Sequence, residues 1–215
     1  MCVPFPHYPT ILKSQFFQVL ENSDPEKDAK LLKHAEAYPL EQEPLLDSAL
    51  SFGGKPRTIP LPQRTFVPVG HICLGSVLTE YERRGYAKNE EGLYWISNFY
   101  VSRALQGIGL GTAAMNTVEN LAISEPLNAK ILALNAINKI DPEREEKYKA
   151  LGLVIPLVSV PGLKVEFAND VKFSNQEWYE RRGYRVYTNV ESLFSKVDST
   201  GKTWSWNAVF MKKEI

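Results

Sequence analysis

The chain of 215 residues is short of several residue types that define function classes. It has two cysteines, Cys2 and Cys73, too few for a disulfide framework or a thiolate zinc cluster, and this predicts a reducing compartment. Three histidines, His7, His34 and His71, stand far apart and form no His-Glu-x-x-His pattern, so no metal site is expected. Charge of one sign is lacking as well. The 25 basic and 25 acidic residues cancel, and they balance on both sides of Thr65, so no basic face announces a nucleic-acid partner. No apolar run approaches the roughly 18 residues that cross a bilayer, and the proline-bearing start, Met1 to Thr10, has no secretory pattern. A cytosolic protein without a membrane partner is the expectation.

What is present is an ordinary globular composition, 44% hydrophobic and 11% aromatic, enough for one packed core. Apolar spacing predicts helices over Ile11–Glu21 and Asp28–Phe52, interrupted by Asn22–Pro25, Pro39 and Pro44 and closed by Gly53-Gly54-Lys55-Pro56. We therefore read residues 1–64 as a helical N-terminal segment and 65–215 as the core. Thr65–Leu78 suits two short strands or one bent strand, and Glu80–Gly92 reads as a polar turn. Tyr94-Trp95-Ile96-Ser97-Asn98-Phe99-Tyr100-Val101 is aromatic and β-branched, a central strand. A glycine loop, Gln106-Gly107-Ile108-Gly109-Leu110-Gly111, follows, and then a helix from Thr112 to Ile123 with Ala114, Met115, Val118, Leu121 and Ala122 on one face. Further on come a strand at Ile131–Leu134, an exposed helix over Asp141–Ala150 and unsettled apolar pieces over Leu151–Asp170. A helix over Phe173–Arg182 ends at Gly183, and strands begin at Tyr184 and Trp204.

Strand, glycine loop and helix in that order suit an anion, because glycines let backbone N–H groups close on it and the helix start adds partial positive charge. A dinucleotide turn is formally matched by Gly109-Leu110-Gly111-Thr112-Ala113-Ala114, but no acidic residue ends the next strand near Leu134. Gly201-Lys202-Thr203 lacks the upstream glycine of a P-loop, where Lys196 stands.

Gln106-Gly107-Ile108-Gly109-Leu110-Gly111, with Val101 five residues upstream, resembles the Gln/Arg-x-x-Gly-x-Gly/Ala signature of the GNAT superfamily of acyl-CoA-dependent N-acyltransferases. Tyr179-Glu180-Arg181-Arg182-Gly183-Tyr184 fills the family's second motif, aromatic-x-x-x-Gly-aromatic. The resemblance runs from about Val69 to Met211, with an insertion at about 139–172. It implies an α/β fold, a mixed and strongly twisted central sheet with helices on both faces. It also implies that the backbone of Phe99 and Val101 pairs with pantetheine. The loop Gln106, Gly107, Ile108, Gly109, Leu110, Gly111 and Thr112 would hold the pyrophosphate, and Tyr179 would protonate the leaving thiolate. Acetyl-CoA is then the co-substrate, without a metal, and direct acetylation of a primary amine is the expected reaction.

A small-molecule amine is the first choice of acceptor and a protein lysine or N-terminal amine the second. A non-catalytic acyl-CoA-binding module is the reading from another class. In the family the acceptor pocket is built from the N-terminal helices and the loop between the last two strands, here roughly Ser14–Phe52 and Asn189–Thr203. No general base is assigned, since Ile96, Ser97 and Asn98 offer none and Glu166, Asp170, Glu177 and His71 are equal candidates. Asn138 is either a cofactor contact or a turn former, and Arg103, Arg181 and Arg182 are candidates for the 3′-phosphate.

Overall fold

The computed structural model describes residues 14–59, 61–141, 143–151 and 174–215. Six strands build one sheet: β1 (Ser14–Gln18), β6 (Gly70–Gly75), β7 (Leu93–Val101), β8 (Ile131–Ile137), β10 (Thr203–Glu214) and β9 (Arg185–Val197), in that spatial order. All neighbours are antiparallel except β7 and β8, which run parallel. The parallel pair is joined by α3 (Leu110–Ile123), as a crossover requires. Two small hairpin-like pairs, β2 (Leu45–Leu46) with β5 (Thr65–Phe66) and β3 (Ser51–Phe52) with β4 (Lys55–Pro56), lie outside this sheet.

Period-two alternation divides the sheet's side chains between two faces. On one, Leu132, Leu134 and Ala136 of β8 and Val209 and Met211 of β10 pack with Met115, Val118 and Ala122 of α3 and Tyr179 of α5 (Asn175–Arg181). On the other, Trp95, Ala133 and Phe210 pack with Tyr81 of α2 (Thr79–Arg83). The mixed sheet with helices on both faces is therefore present. Helix α1 (Lys27–Ala37) docks beside the short 3-10 turn Arg103–Leu105. His34 of α1, fully buried, puts its Nδ1 2.8 Å from the Ser102 hydroxyl, immediately after β7.

The N-terminal part departs from the helices expected there. Ser14–Gln18 is a strand: Phe16 joins the core and meets Phe52 at 5.4 Å, while Phe17 turns the other way to Phe66 at 6.0 Å. The alternation was hidden by a stretch of only five residues whose edge pairing with β6 comes from far along the chain. Only Lys27–Ala37 of the second expected helix forms, and Leu45–Phe52 contributes strand pairs instead. The polar stretch Glu80–Gly92 holds α2, stabilised by Arg83 and Arg84 on Glu80. The later elements fall where expected, with α4 (Arg144–Ala150), α5, β9 and β10 within a few residues of the predicted bounds. Most of the segment after Asn138, including Glu166 and Asp170, lies outside the described residues.

Leu132 is completely buried between α3 and the sheet, so Leu132→Ala removes methyl groups from a packed site. Chemical denaturation should show a loss of about 2–5 kcal/mol.

Candidate active site

The site begins with an extra residue in β7. Two steps along β6, from Cys73 to His71, face three along β7, from Ser97 to Tyr100, and Asn98 takes up the excess at a left-handed φ of 49°. This is a bulge, and asparagine is among the side chains that tolerate that conformation best. It reverses the phase of alternation. Tyr94 and Ile96 face α3 before the bulge, and Phe99 does so after it.

Pairing between β7 and β8 covers only Leu93–Ile131, Tyr94–Leu132 and Trp95–Ala133. Beyond that rung the strands part, while β8 stays bonded to β10 as far as Ile137 and β7 stays bonded to β6 as far as Val101. The inner edges at Ile96–Val101 and Leu134–Ile137 thus form the two arms of a fork. Its backbone groups are available to an extended ligand, which would pair as another strand.

The glycine loop stands where β7 ends. Gly107 and Gly109 have φ of 85° and 93°, the left-handed region that a side chain resists, and they turn the chain into α3. The first helical bond of α3 is from Ala113 N to Gly109 O. Among the described residues, the amides of Ile108, Gly109, Leu110, Gly111 and Thr112 have no acceptor, so five donors converge at a helix start. Gly111 faces into the fork: a Cβ there would lie 3.6 Å from Phe99, 3.9 Å from Val101 and 4.0 Å from Trp178. The structure thus brings together Phe99, Val101, Gly107, Ile108, Gly109, Leu110, Gly111 and Thr112. Gln106 belongs to the same loop but turns back, its Nε2 donating to the Val101 carbonyl at 3.4 Å.

Helix α5 closes the wall opposite β7. Ser174 and Glu177 form a reciprocal cap, with Ser174 N donating to Glu177 at 2.8 Å and Glu177 N to the Ser174 hydroxyl at 3.2 Å. Lys139, just past β8, donates its backbone N–H to Gln176 at 2.8 Å and its ammonium to Glu180. So fastened, Trp178 lies 6.0 Å from Phe99, and Tyr179 packs edge-on to Trp178 and Tyr184 at 5.0 and 5.8 Å. Tyr179 is buried, and loss of solvent pushes its phenol above the usual range, with Arg182 opposing. The group stays protonated near neutral pH and has a proton to donate.

Several candidates find other work. Glu177 is held below its ordinary range, first by the Ser174 N–H, which suits a helix cap rather than a base. His71 sits on β6, one strand away from the fork, 5.5 Å from Tyr100, and burial lowers its pKa while Glu41 opposes. Asn138 makes a turn, its Oδ1 accepting from Ile140 N at 2.8 Å. Arg182 is engaged by Asn116 and Glu119 and lies over Trp178. Gly201-Lys202-Thr203 is the turn and start of a hairpin strand, which removes the P-loop reading.

A space of about 710 Å³ beside β1 is lined by Phe16, Phe52, Asp47, Arg57 and Phe66 but by no residue of 189–203. That last hairpin is built independently around Asp198, which accepts from the Thr200 hydroxyl at 2.6 Å, Trp204 Nε1 at 2.7 Å and Thr200 N at 2.8 Å.

Sequence reasoning overlooked Ser174, Gln176, Lys139, Tyr81 and Asn135. The Ser-x-x-Glu spacing of Ser174 and Glu177 was a readable cap signal, but the others depend on pairings across the chain.

With this geometry in view, residues 57–143 match the profile described as "Acetyltransferase (GNAT) family". The matched stretch runs from β5 through the fork and loop to β8, and this part of the chain is similar to a GNAT acetyltransferase domain. No curated protein matches the sequence. Among solved structures, one described as a probable acetyltransferase matches at 12% identity and a TM-score of 0.37, over 71% of this chain and 60% of that one. The IAA acetyltransferase of Bacillus cereus matches at 14% identity and 0.39, over 94% and 100% of the two chains. Arabidopsis thaliana NAA60, in complex with acetyl-CoA, matches at 13% and 0.40, over 94% and 99%. Similarity at this level does not choose an acceptor. Among the described residues no helix is long and apolar enough to cross a membrane, and no group of His, Cys, Asp and Glu is arranged for a metal.

The Asp198 carboxyl is held down to about 2, first by the Thr200 hydroxyl and then by the Trp204 indole N–H. Its folded value is depressed from 3.8, so its contribution is present above that unfolded value and lost as pH falls through about 2. The melting-temperature gap between wild type and Asp198→Asn should be constant above about pH 5 and shrink between pH 4 and pH 2.

Proposed function

We propose that this protein is an acetyl-CoA-dependent N-acetyltransferase that passes the acetyl group directly to a primary amine, by preference that of a small molecule. The observation that carries the reading is the fork between β7 and β8 with the five unbonded amides of the glycine loop at its mouth. An extended amide-bearing arm suits the fork, and a pyrophosphate suits the amides at the start of α3. Acetyl-CoA has both in one molecule.

In this reading the backbone of Phe99 and Val101 binds pantetheine, and Gly107 to Thr112 bind the pyrophosphate, with Gln106 bracing the loop against Val101. A backbone N–H near the bulge polarises the thioester carbonyl as the amine attacks. The C–N bond forms, the C–S bond breaks, and Tyr179 gives its proton to the departing thiolate. The neutral state that burial enforces on Tyr179 supports that role. The amine loses its proton to solvent, since none of the described acidic or histidine candidates stands at the fork.

Two measurements test this. Acetyl-CoA at about 100 times its dissociation constant should add about 2.7 kcal/mol to stability, a rise of about 5–10 °C in melting temperature, whereas NADH should give none. A shift with NADH alone would sink the assignment. Tyr179→Phe should lower kcat for thiol release roughly 10²-fold while acetyl-CoA still stabilises the fold, and unchanged turnover would remove Tyr179 from the chemistry. Thiol release with no amine tested, despite binding, would favour the non-catalytic module.

A further inference from the structure

Just past the last rung of the fork, one polar pair interrupts an apolar face. Tyr81 of α2 sets its ring 5.7 Å from Trp95 and 5.1 Å from Phe210, edge-on to both. Its hydroxyl accepts a hydrogen bond from Asn135 Nδ2 at 2.9 Å. Asn135 is two residues beyond Ala133, the last residue of β8 to pair with β7, and so lies on the same face. Phe210, its partner across β10, belongs to that apolar cluster. An apolar side chain at either position would pack here without a polar group to satisfy.

The pair leaves its hydrogen-bonding capacity half used. Among the described residues, neither the phenolic proton of Tyr81 nor the carbonyl oxygen of Asn135 meets another partner. Turning the Asn135 amide over exchanges the roles but still leaves donors and an acceptor without partners. Both side chains are only partly buried, and Asn135 stands on the arm of β8 just past the last rung shared with β7. Two adjacent polar positions in apolar walls discriminate strongly, because an unmatched ligand leaves them unpaired.

We infer that Tyr81 and Asn135 form the floor of the acceptor subsite and select amines that carry a carbonyl oxygen next to the carbon bearing the amine. This inference rests on the acetyltransferase reading. The Asn135 oxygen takes a hydrogen bond from the amine N–H, and the Tyr81 hydroxyl gives one to the neighbouring carbonyl. The pair faces α2, whereas Phe99 and Gly111 gather on the α3 side. Acceptor and acyl donor thus enter from opposite faces and meet where the strands separate.

Glycinamide and butylamine, equal in heavy atoms, provide the test, with free thiol from acetyl-CoA as the readout. The wild type should favour glycinamide in kcat/KM by at least tenfold, and Tyr81→Phe should cut that ratio about tenfold, mainly through KM. Asn135→Leu, whose melting temperature shows whether it folds, should cut it similarly. A wild type that does not discriminate, including one that accepts neither amine, overturns the subsite, as does a Tyr81→Phe enzyme with an unaltered ratio. Acetyl-CoA stabilisation, measured on the same samples, separates the failures: if it persists only the subsite falls, and if it is absent the acetyltransferase reading falls with it.

Discussion

The structure turns on where a ladder of backbone hydrogen bonds stops. β7 and β8 share three rungs and then separate, although each keeps a full partner on its outer side. A strand bends most readily at a bulge, and β7 has one at Asn98. The bulge has a second consequence, in side-chain phase. Because of the extra residue, Phe99 faces the same helix layer as Ile96, three positions away, and so lies against Gly111 at the helix start. One residue in a left-handed conformation thus accounts both for an opening between strands and for the side chains that border it.

The surroundings keep that opening from closing. α3 is anchored by Met115, Val118 and Ala122, all essentially buried, so the start of the helix is fixed relative to the arm of β7. α5 is fixed differently, by polar bonds from Lys139 to Gln176 and Glu180 and by its own cap. Glu119 ties these together, meeting Lys213 at 3.0 Å, Arg182 at 3.2 Å and the Tyr184 hydroxyl at 3.2 Å. A site built on helices and strands with locked neighbours holds its geometry better than one on loops, and among the described residues around the fork the glycine loop is the irregular part.

Much of this was legible because the informative features were local. The strand Tyr94–Val101, the loop from Gln106 to Gly111 and the amphipathic Thr112–Ile123 each announce themselves within a dozen residues, and they make up the anion end of the site. The Tyr179–Tyr184 motif was legible for the same reason. What was not legible depends on partners distant in sequence. Ser14–Gln18 is a strand because β6 lies beside it, and Tyr81 matters because Asn135, 54 residues on, reaches its hydroxyl. No periodicity encodes such meetings, since burial on a face is decided by the element that covers it.

Among the described residues neither Glu177 nor His71 stands beside the fork as a base, and this bears on where selectivity comes from. An amine that ionises near neutral pH supplies enough of its neutral form without a base, and a carbonyl adjacent to the amine-bearing carbon withdraws electrons and eases that ionisation. The pair at Tyr81 and Asn135 recognises such a carbonyl through hydrogen bonds made in the low-dielectric cover of Trp95 and Phe210, where a missing partner costs about 1–3 kcal/mol. An acceptor chosen in this way brings its own readiness to react, so recognition on the α2 face serves reactivity as well as selection.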